Sequence, residues 1–313
     1  MPPEHPSSTV RVVEVGPRDG LQNEAGRVPT GDKAELVRAL IATGLPEIEL
    51  TSFVSPRWIP QLGDAAELLD VLAGDLPERV TFNALVPNAK GMERLLGANE
   101  AVEKATGRRA IDKVCLFTAA SETFSKKNTN ASIDETFERF APVAATAREH
   151  GLQLRGYVSC AFACPFEGII GIDAVVRVAE RLAGDLGVNE VSIADTIGHA
   201  TPDDVTERIA ALEHIGVGIL NLHLHDTFGR AADCVRAGLR AGVRSFDGAV
   251  GGLGGCPYAS TPGKRAPGNI ATGTLVQAIE GEGCATGVDH AALDSARALA
   301  DELVTKARAG AAT

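Results

Sequence analysis

Short apolar runs alternate with longer amphipathic stretches along almost the whole chain. Runs rich in Val, Ile and Leu bounded by Gly, Pro or Asp predict strands. Stretches with apolar positions three and four apart predict helices. The first strand is read over Val10 to Val15, closed by Gly16-Pro17, and the first helix over Lys33 to Thr43, closed by Gly44. Strand and helix then recur at Glu47 to Phe53 and Asp64 to Ala73, and at Val80 to Val86 and Gly91 to Leu96. They recur again at Lys113 to Thr118 and Ile133 to His150, and at Leu154 to Cys160 and Asp173 to Leu186. Glu190 to Ala194 pairs with Thr206 to His214, Leu220 to His225 with Ala231 to Ala241, and an eighth strand is read over Ser245 to Val250. Two helices, near Ile270 to Glu280 and Ala291 to Arg308, finish the chain, and the first serves the eighth strand.

Repeated strand–helix units call for a parallel sheet with right-handed crossovers. Eight of them favour closure into a (β/α)8 TIM barrel with additional C-terminal helices over a doubly wound open sheet. No linker interrupts the alternation, so residues 1–313 are expected to form a single domain. In such barrels the chemistry sits at the C-terminal ends of the strands, so polar residues at the ends of the apolar runs are the ones to weigh.

Composition narrows the class of function. Hydrophobic residues make up 44% and charged residues 23% of 313, enough for a sizeable core. A formal net charge of -11 excludes the electrostatic footprint of a nucleic-acid or anionic-membrane binder. No apolar run approaches the roughly 18 residues of a membrane span. The six cysteines lack paired CxxC spacing, and the closest pair is Cys160 and Cys164, which suits a reducing compartment. The Pro- and Ser-rich Met1 to Thr9 carries Glu4 and no apolar core, so neither a secretory signal nor a transit peptide is read there, and a cytoplasmic location is expected.

At the first strand end the chain reads Arg18-Asp19-Gly20, and at the seventh His223-Leu224-His225-Asp226. Alternate residues on a strand share a face, so His223 and His225 project together. Two histidines and the Asp19 carboxylate make a divalent-metal set; two polar residues on a half-buried strand is the plainer reading of HxH. After the eighth strand, Gly251-Gly252-Leu253-Gly254-Gly255-Cys256-Pro257-Tyr258 offers a loop whose thiol is a candidate acid or nucleophile.

The stretches EVGPRDGLQNE (Glu14 to Glu24), TSFVSPRWIP (Thr51 to Pro60), RGYVSC (Arg155 to Cys160), ADTIG (Ala194 to Gly198), HLHDTFG (His223 to Gly229) and GLGGCPYA (Gly252 to Ala259) resemble the 3-hydroxy-3-methylglutaryl-CoA lyase family. The likeness runs from about Val10 to about Glu280; Arg-Asp-Gly with HxHD marks the wider metallolyase superfamily, and the GLGGCPYA loop points to the lyase branch. The resemblance implies retro-Claisen cleavage of the acyl-CoA to acetoacetate and acetyl-CoA. It implies a divalent cation, Mg2+ or Mn2+ by preference, held by Asp19, His223, His225 and Asn269. It further implies Asp19 as general base, Arg18 as stabiliser of the enolate oxygen, Cys256 as proton donor, and Glu49 as an orienting partner for Arg18 or the metal site. Gln22, Asn128, Ser192 and Asp195 match positions near the substrate, with a structural role equally open for Ser192 and Asp195, and Glu14 matches an acidic position on the first strand. Lys126 and Lys127 are a solvated pair or a contact for the CoA phosphates, and the family implies a homodimer.

Two segments depart from the family pattern. The chain is longer between Leu95 and Lys113, on the face remote from chemistry, and longer over Ser260 to Gly268, where Lys264 and Arg265 add positive charge between Cys256 and Asn269. The second departure leaves open a lyase for a longer 3-hydroxy-3-alkylglutaryl-CoA. An acyl-CoA condensing synthase or aldolase on the same fold would account for Arg18, Asp19 and HxH, and not for Cys256 in its loop.

Overall fold

The computed structural model describes residues 9–255 and 268–311. Among the described residues ten strands occur in chain order: β1 (Arg11–Glu14), β2 (Glu47–Ser52), β3 (Thr81–Leu85), β4 (Lys113–Ala119), β5 (Gln153–Ser159), β6 (Ala163–Cys164), β7 (Gly168–Ile169), β8 (Glu190–Asp195), β9 (Ile219–Leu224) and β10 (Ser245–Gly248). All but β6 and β7 close into one barrel in the order β1-β10-β9-β8-β5-β4-β3-β2, every neighbour parallel. The (β/α)8 expectation holds, and each predicted barrel strand is found within a residue or two of its observed limits.

Some helices start where the sequence supplies side-chain oxygens for free backbone N–H groups. Ser132 and Glu135 form a reciprocal capping box at Ile133–Glu149, and Thr201 and Asp204 form another ahead of Pro202 at Pro202–Leu212. The third helix differs from its expectation: it runs over Ala89–Thr106, well past Leu96, and stops at Gly107 in the left-handed conformation. Its second half buries Ala98, Asn99 and Val102, where a buried amide breaks the apolar stripe. The Asn99 side chain donates to the Ile111 carbonyl and accepts from the Ile111 N–H, so it is satisfied there. Most of the segment between Leu95 and Lys113 is therefore helix. A polar helix at Glu122–Thr129, capped by Ser121, and the β6–β7 ribbon that follows β5 were not expected.

Between barrel and helices the core is aliphatic, with Val12, Leu40, Ile48, Leu50, Val158, Val191, Ile193 and Leu222 all buried. The barrel interior is not. Where branched apolar residues usually fill such a barrel, this one holds Arg11, Lys113 and Arg155 against Glu47, Glu190 and Asp247. Lys113 Nζ meets Glu47 at 2.8 Å and Glu190 at 2.7 Å. Arg11 reaches the same two carboxylates at 2.9 and 2.6 Å. Burial raises the Glu190 carboxyl, yet Arg155, Lys113 and Arg11 outweigh it and bring it to about 2. Among the described residues, no helix is long and apolar enough to cross a membrane.

Candidate active site

The site is built at the C-terminal mouth from β1, β2, β5, β9 and the segment entering the last barrel helix. After β1 the chain makes one π-helical turn, Gly16–Gly20, in which the N–H groups of Arg18, Asp19 and Gly20 all point at the Val15 carbonyl. Such wide turns recur at functional sites because they re-aim side chains. Here the turn brings Arg18 and Asp19 over the mouth. Glu14 anchors it from outside the barrel, accepting from the N–H groups of Gly16 (2.7 Å) and Val250 (2.8 Å) and the Thr272 hydroxyl (2.6 Å). Burial pushes the Glu14 carboxyl up to about 7, with the three hydrogen bonds opposing.

Arg18 is buried and committed. Its Nε and Nη2 converge on Glu49 Oε2, each at 2.7 Å, and Nη1 donates to Asp19 Oδ1 at 2.8 Å. Burial lowers the guanidinium, but Glu49 and Asp19 more than restore it, so it stays charged. Of the two partners open to Glu49, the contact seen is with Arg18. Tyr157 lies within cation–π reach of Arg18 on one side and Arg155 on the other, at 5.6 and 4.7 Å to the ring centre, and meets the His223 ring edge-on.

His223 and His225 do project together. Their Nε2 atoms face each other at 3.3 Å, and Asp19 Oδ2 is 4.0 Å from that of His223. Asp19, His223 and His225 form the one metal-competent cluster found among the described residues. His225 pairs with Asn269 as an isolated bridge, which brings the fourth expected ligand alongside. The Asn269 amide donates to Asp19 Oδ2 at 2.8 Å and to the Leu253 carbonyl at 3.0 Å, leaving its Oδ1 buried without a partner among the described residues. Gly254, at φ 108°, passes so near that a Cβ there would lie 2.7 Å from Asn269 Nδ2. Burial, then His223, pushes His225 down to about 4, so its imidazole is neutral at pH 7. Burial raises Asp19, while Arg18 and the two histidines lower it further, keeping it ionised. Two imidazoles with nitrogens face to face, a carboxylate and an amide oxygen without a partner among the described residues suit a divalent cation.

A cavity of about 130 Å3 lies over this cluster, lined by Arg18, Asp19, Gln22, Asn128, Tyr157, His223 and His225 among others. A second, of about 380 Å3, continues outward past Val54, Trp58, Ile59, Leu85, Phe117 and Phe140 to Asn130 and Arg139. Gln22 and Asn128 line both. Lys126 and Lys127 ride on the Glu122–Thr129 helix, with Lys127 Nζ 4.9 Å from the Phe166 ring centre. Ser192 and Asp195 make structural contacts. Ser192 Oγ sits inside the barrel between Asn221 and Asp247, and both Asp195 oxygens accept backbone N–H groups of His199 and Ala200 at 2.8 Å. Cys256 and all but the last residue of the Ser260 to Gly268 segment lie outside the described residues.

Tyr157 and Asp247 were assigned no role from sequence. Alternation on β5 could have found the first, since Arg155, Tyr157 and Ser159 share one face. Asp247, a lone acid inside the last strand, signals a buried partner.

The HMGL-like family model matches residues 9–300. The chain is 45% identical over 281 residues to the hydroxymethylglutaryl-CoA lyase of Pseudomonas mevalonii, covering 90% of this chain and 87% of that one. Its fold matches the HMG-CoA lyase of Brucella melitensis with a TM-score of 0.86 at 42% identity, over 96% and 100% of the two chains. It also matches an HMG-CoA lyase of Acinetobacter baumannii, solved with coenzyme A and 3-methylmalate, with a TM-score of 0.85 at 35% identity, over 97% and 93%.

Proposed function

The chain belongs to the HMGL-like family and is a carbon–carbon lyase. On that premise we propose that it cleaves 3-hydroxy-3-methylglutaryl-CoA to acetoacetate and acetyl-CoA. The observation that carries the reading is the coupling of Arg18 to Asp19 at 2.8 Å beside two histidine nitrogens 3.3 Å apart. That arrangement serves both ends of a retro-Claisen step, the hydroxyl that loses a proton and the carbonyl that gains charge.

Asp19, His223, His225 and Asn269 would hold a divalent cation, Mg2+ or Mn2+ being the proposed ions. Bound there, it supplies Lewis acidity to the substrate's hydroxyl and carboxylate oxygens. Asp19 takes the proton of the tertiary hydroxyl. The C2–C3 bond then breaks, C3 becomes the ketone of acetoacetate, and its electron pair passes to C2 as the acetyl-CoA enolate. Arg18, held by Glu49, faces the enolate oxygen with a charge that does not titrate. Cys256 is proposed to return a proton to C2. The outward cavity is proposed to take the pantetheine arm, its apolar Val54, Trp58 and Phe140 wall suiting the methylene-rich chain. Gln22 and Asn128 are proposed substrate contacts. We further propose one domain, a cytoplasmic location and a homodimer.

The direct test is acetyl-CoA release from 3-hydroxy-3-methylglutaryl-CoA after chelation and Mg2+ or Mn2+ restoration. Metal-restored cleavage is expected. Metal binding without cleavage would move the substrate to a longer 3-alkyl homologue. Trp58 is the only tryptophan and is 72% exposed, so coenzyme A should change its fluorescence if the outward cavity is occupied.

A further inference from the structure

We propose that Asp247 is the positioning residue of the cation site: it fixes His223 in the tautomer whose Nε2 faces the ligand cluster, and its own hydrogen-bond state is dictated from the barrel floor. The inference rests on the cation reading above and is argued from donor and acceptor accounting along one line of buried side chains.

The line starts at Arg11, whose guanidinium can only donate. Arg11 Nε donates to Ser245 Oγ at 2.9 Å, so the Ser245 hydrogen is free for Asn221 Oδ1, 2.6 Å away. That contact orients the Asn221 amide and leaves its Nδ2 to donate to Asp247 Oδ1 at 3.0 Å and to Ser192 Oγ at 2.9 Å. Ser192, accepting there, directs its own hydrogen toward Asp247 Oδ2 at 3.5 Å. Arg155 Nη2 donates to both Asp247 oxygens, at 2.6 and 2.7 Å. Every one of these partners donates. Asp247 therefore has acceptor capacity only, and the one remaining contact, His223 Nδ1 at 3.0 Å from Oδ2, has to donate as well.

A neutral imidazole with its hydrogen on Nδ1 carries its lone pair on Nε2, the atom that faces His225 and Asp19. A carboxylate behind a ligand histidine fixes ring orientation and raises its basicity. His225 has no such backing, since its Nδ1 is buried without a partner among the described residues. The two histidines are thus unequal: one is preset before any cation arrives and the other is not.

Two measurements test this. In the unaltered, metal-free chain, nitrogen-15 NMR of the His223 ring should show hydrogen on Nδ1; hydrogen on Nε2 would overturn the inference without any substitution. Asp247→Asn should then weaken Mn2+ binding by about 10- to 100-fold, read by water proton relaxation. A lowered melting temperature with unchanged Mn2+ affinity would reduce Asp247 to a structural part and sink the proposal. If the unaltered chain binds no Mn2+, the cation reading fails and takes this inference with it; equal binding by both chains removes this inference alone.

Discussion

The barrel interior holds two layers of buried charge, and they differ in one respect. On the floor, Arg11 and Lys113 meet Glu47 and Glu190 so that cations and anions interleave. At the mouth, Arg18, Asp19 and Glu49 also interleave, but beside them two histidine nitrogens face each other at 3.3 Å and the Asn269 oxygen meets no donor among the described residues. Buried charge by itself therefore does not mark a site here. What marks it is a set of metal-competent atoms converging on common space: two imidazole nitrogens, the Asp19 carboxylate and the Asn269 amide alongside.

Breaking each layer should separate the two roles. The largest effect is expected from Lys113→Met, which leaves Glu47 and Glu190 short of a cation. A loss of about 3–5 kcal/mol in denaturant unfolding is expected, while enzyme that remains folded keeps its metal affinity. A drop in metal affinity with unchanged stability would show that the floor is part of the site. Next comes Arg18→Gln at the mouth. A fall in kcat on the order of 10² to 10³ is expected, with a smaller cost in stability, because burial already pushes Glu49 up and it can take a proton when its partner is gone. Near-normal turnover would remove Arg18 from the chemistry.

The smallest effect concerns Glu14, outside the barrel wall. Its folded value of about 7 lies above the ordinary 4.5, so the folded chain binds the extra proton between those values. Stability from this group is accordingly present at low pH and lost as pH rises through about 7. Glu14→Gln mimics the protonated carboxyl and should make the chain about 2 kcal/mol less sensitive between pH 5 and 8. A variant with the same pH slope as the parent would show that Glu14 is ionised throughout.

The eight barrel strands were legible because both walls of a parallel strand are buried and the runs are short and bounded. Arg18, Asp19, His223 and His225 were legible because they sit at strand ends. Residues inside the barrel were harder to read. Tyr157 and Asp247 gain their meaning from partners on other strands, and nothing local to RGYVSC or Ser245-Phe246-Asp247 names those partners. The Glu122–Thr129 helix escaped for the opposite reason: it buries only Phe124 and Ser125, too little to print a stripe, and depends on the Ser121 cap.

Gly254 and Gly268 carry a last consequence, for how such a chain can diversify. A Cβ on Gly268 would lie 2.6 Å from the Gly252 oxygen and 2.7 Å from the Gly254 carbonyl carbon, so the chain leaves and re-enters the barrel mouth at nearly one point. The re-entry is pinned by the Asp226 N–H on the Gly268 carbonyl at 3.0 Å, one residue before Asn269. A path that begins and ends at one place can be lengthened without pulling on either end, at about 0.6 kcal/mol for each doubling. A shorter or longer version of this segment would therefore keep Asn269 in register with His225. The Asp19, His223 and His225 cluster then stays fixed whatever the length of the segment.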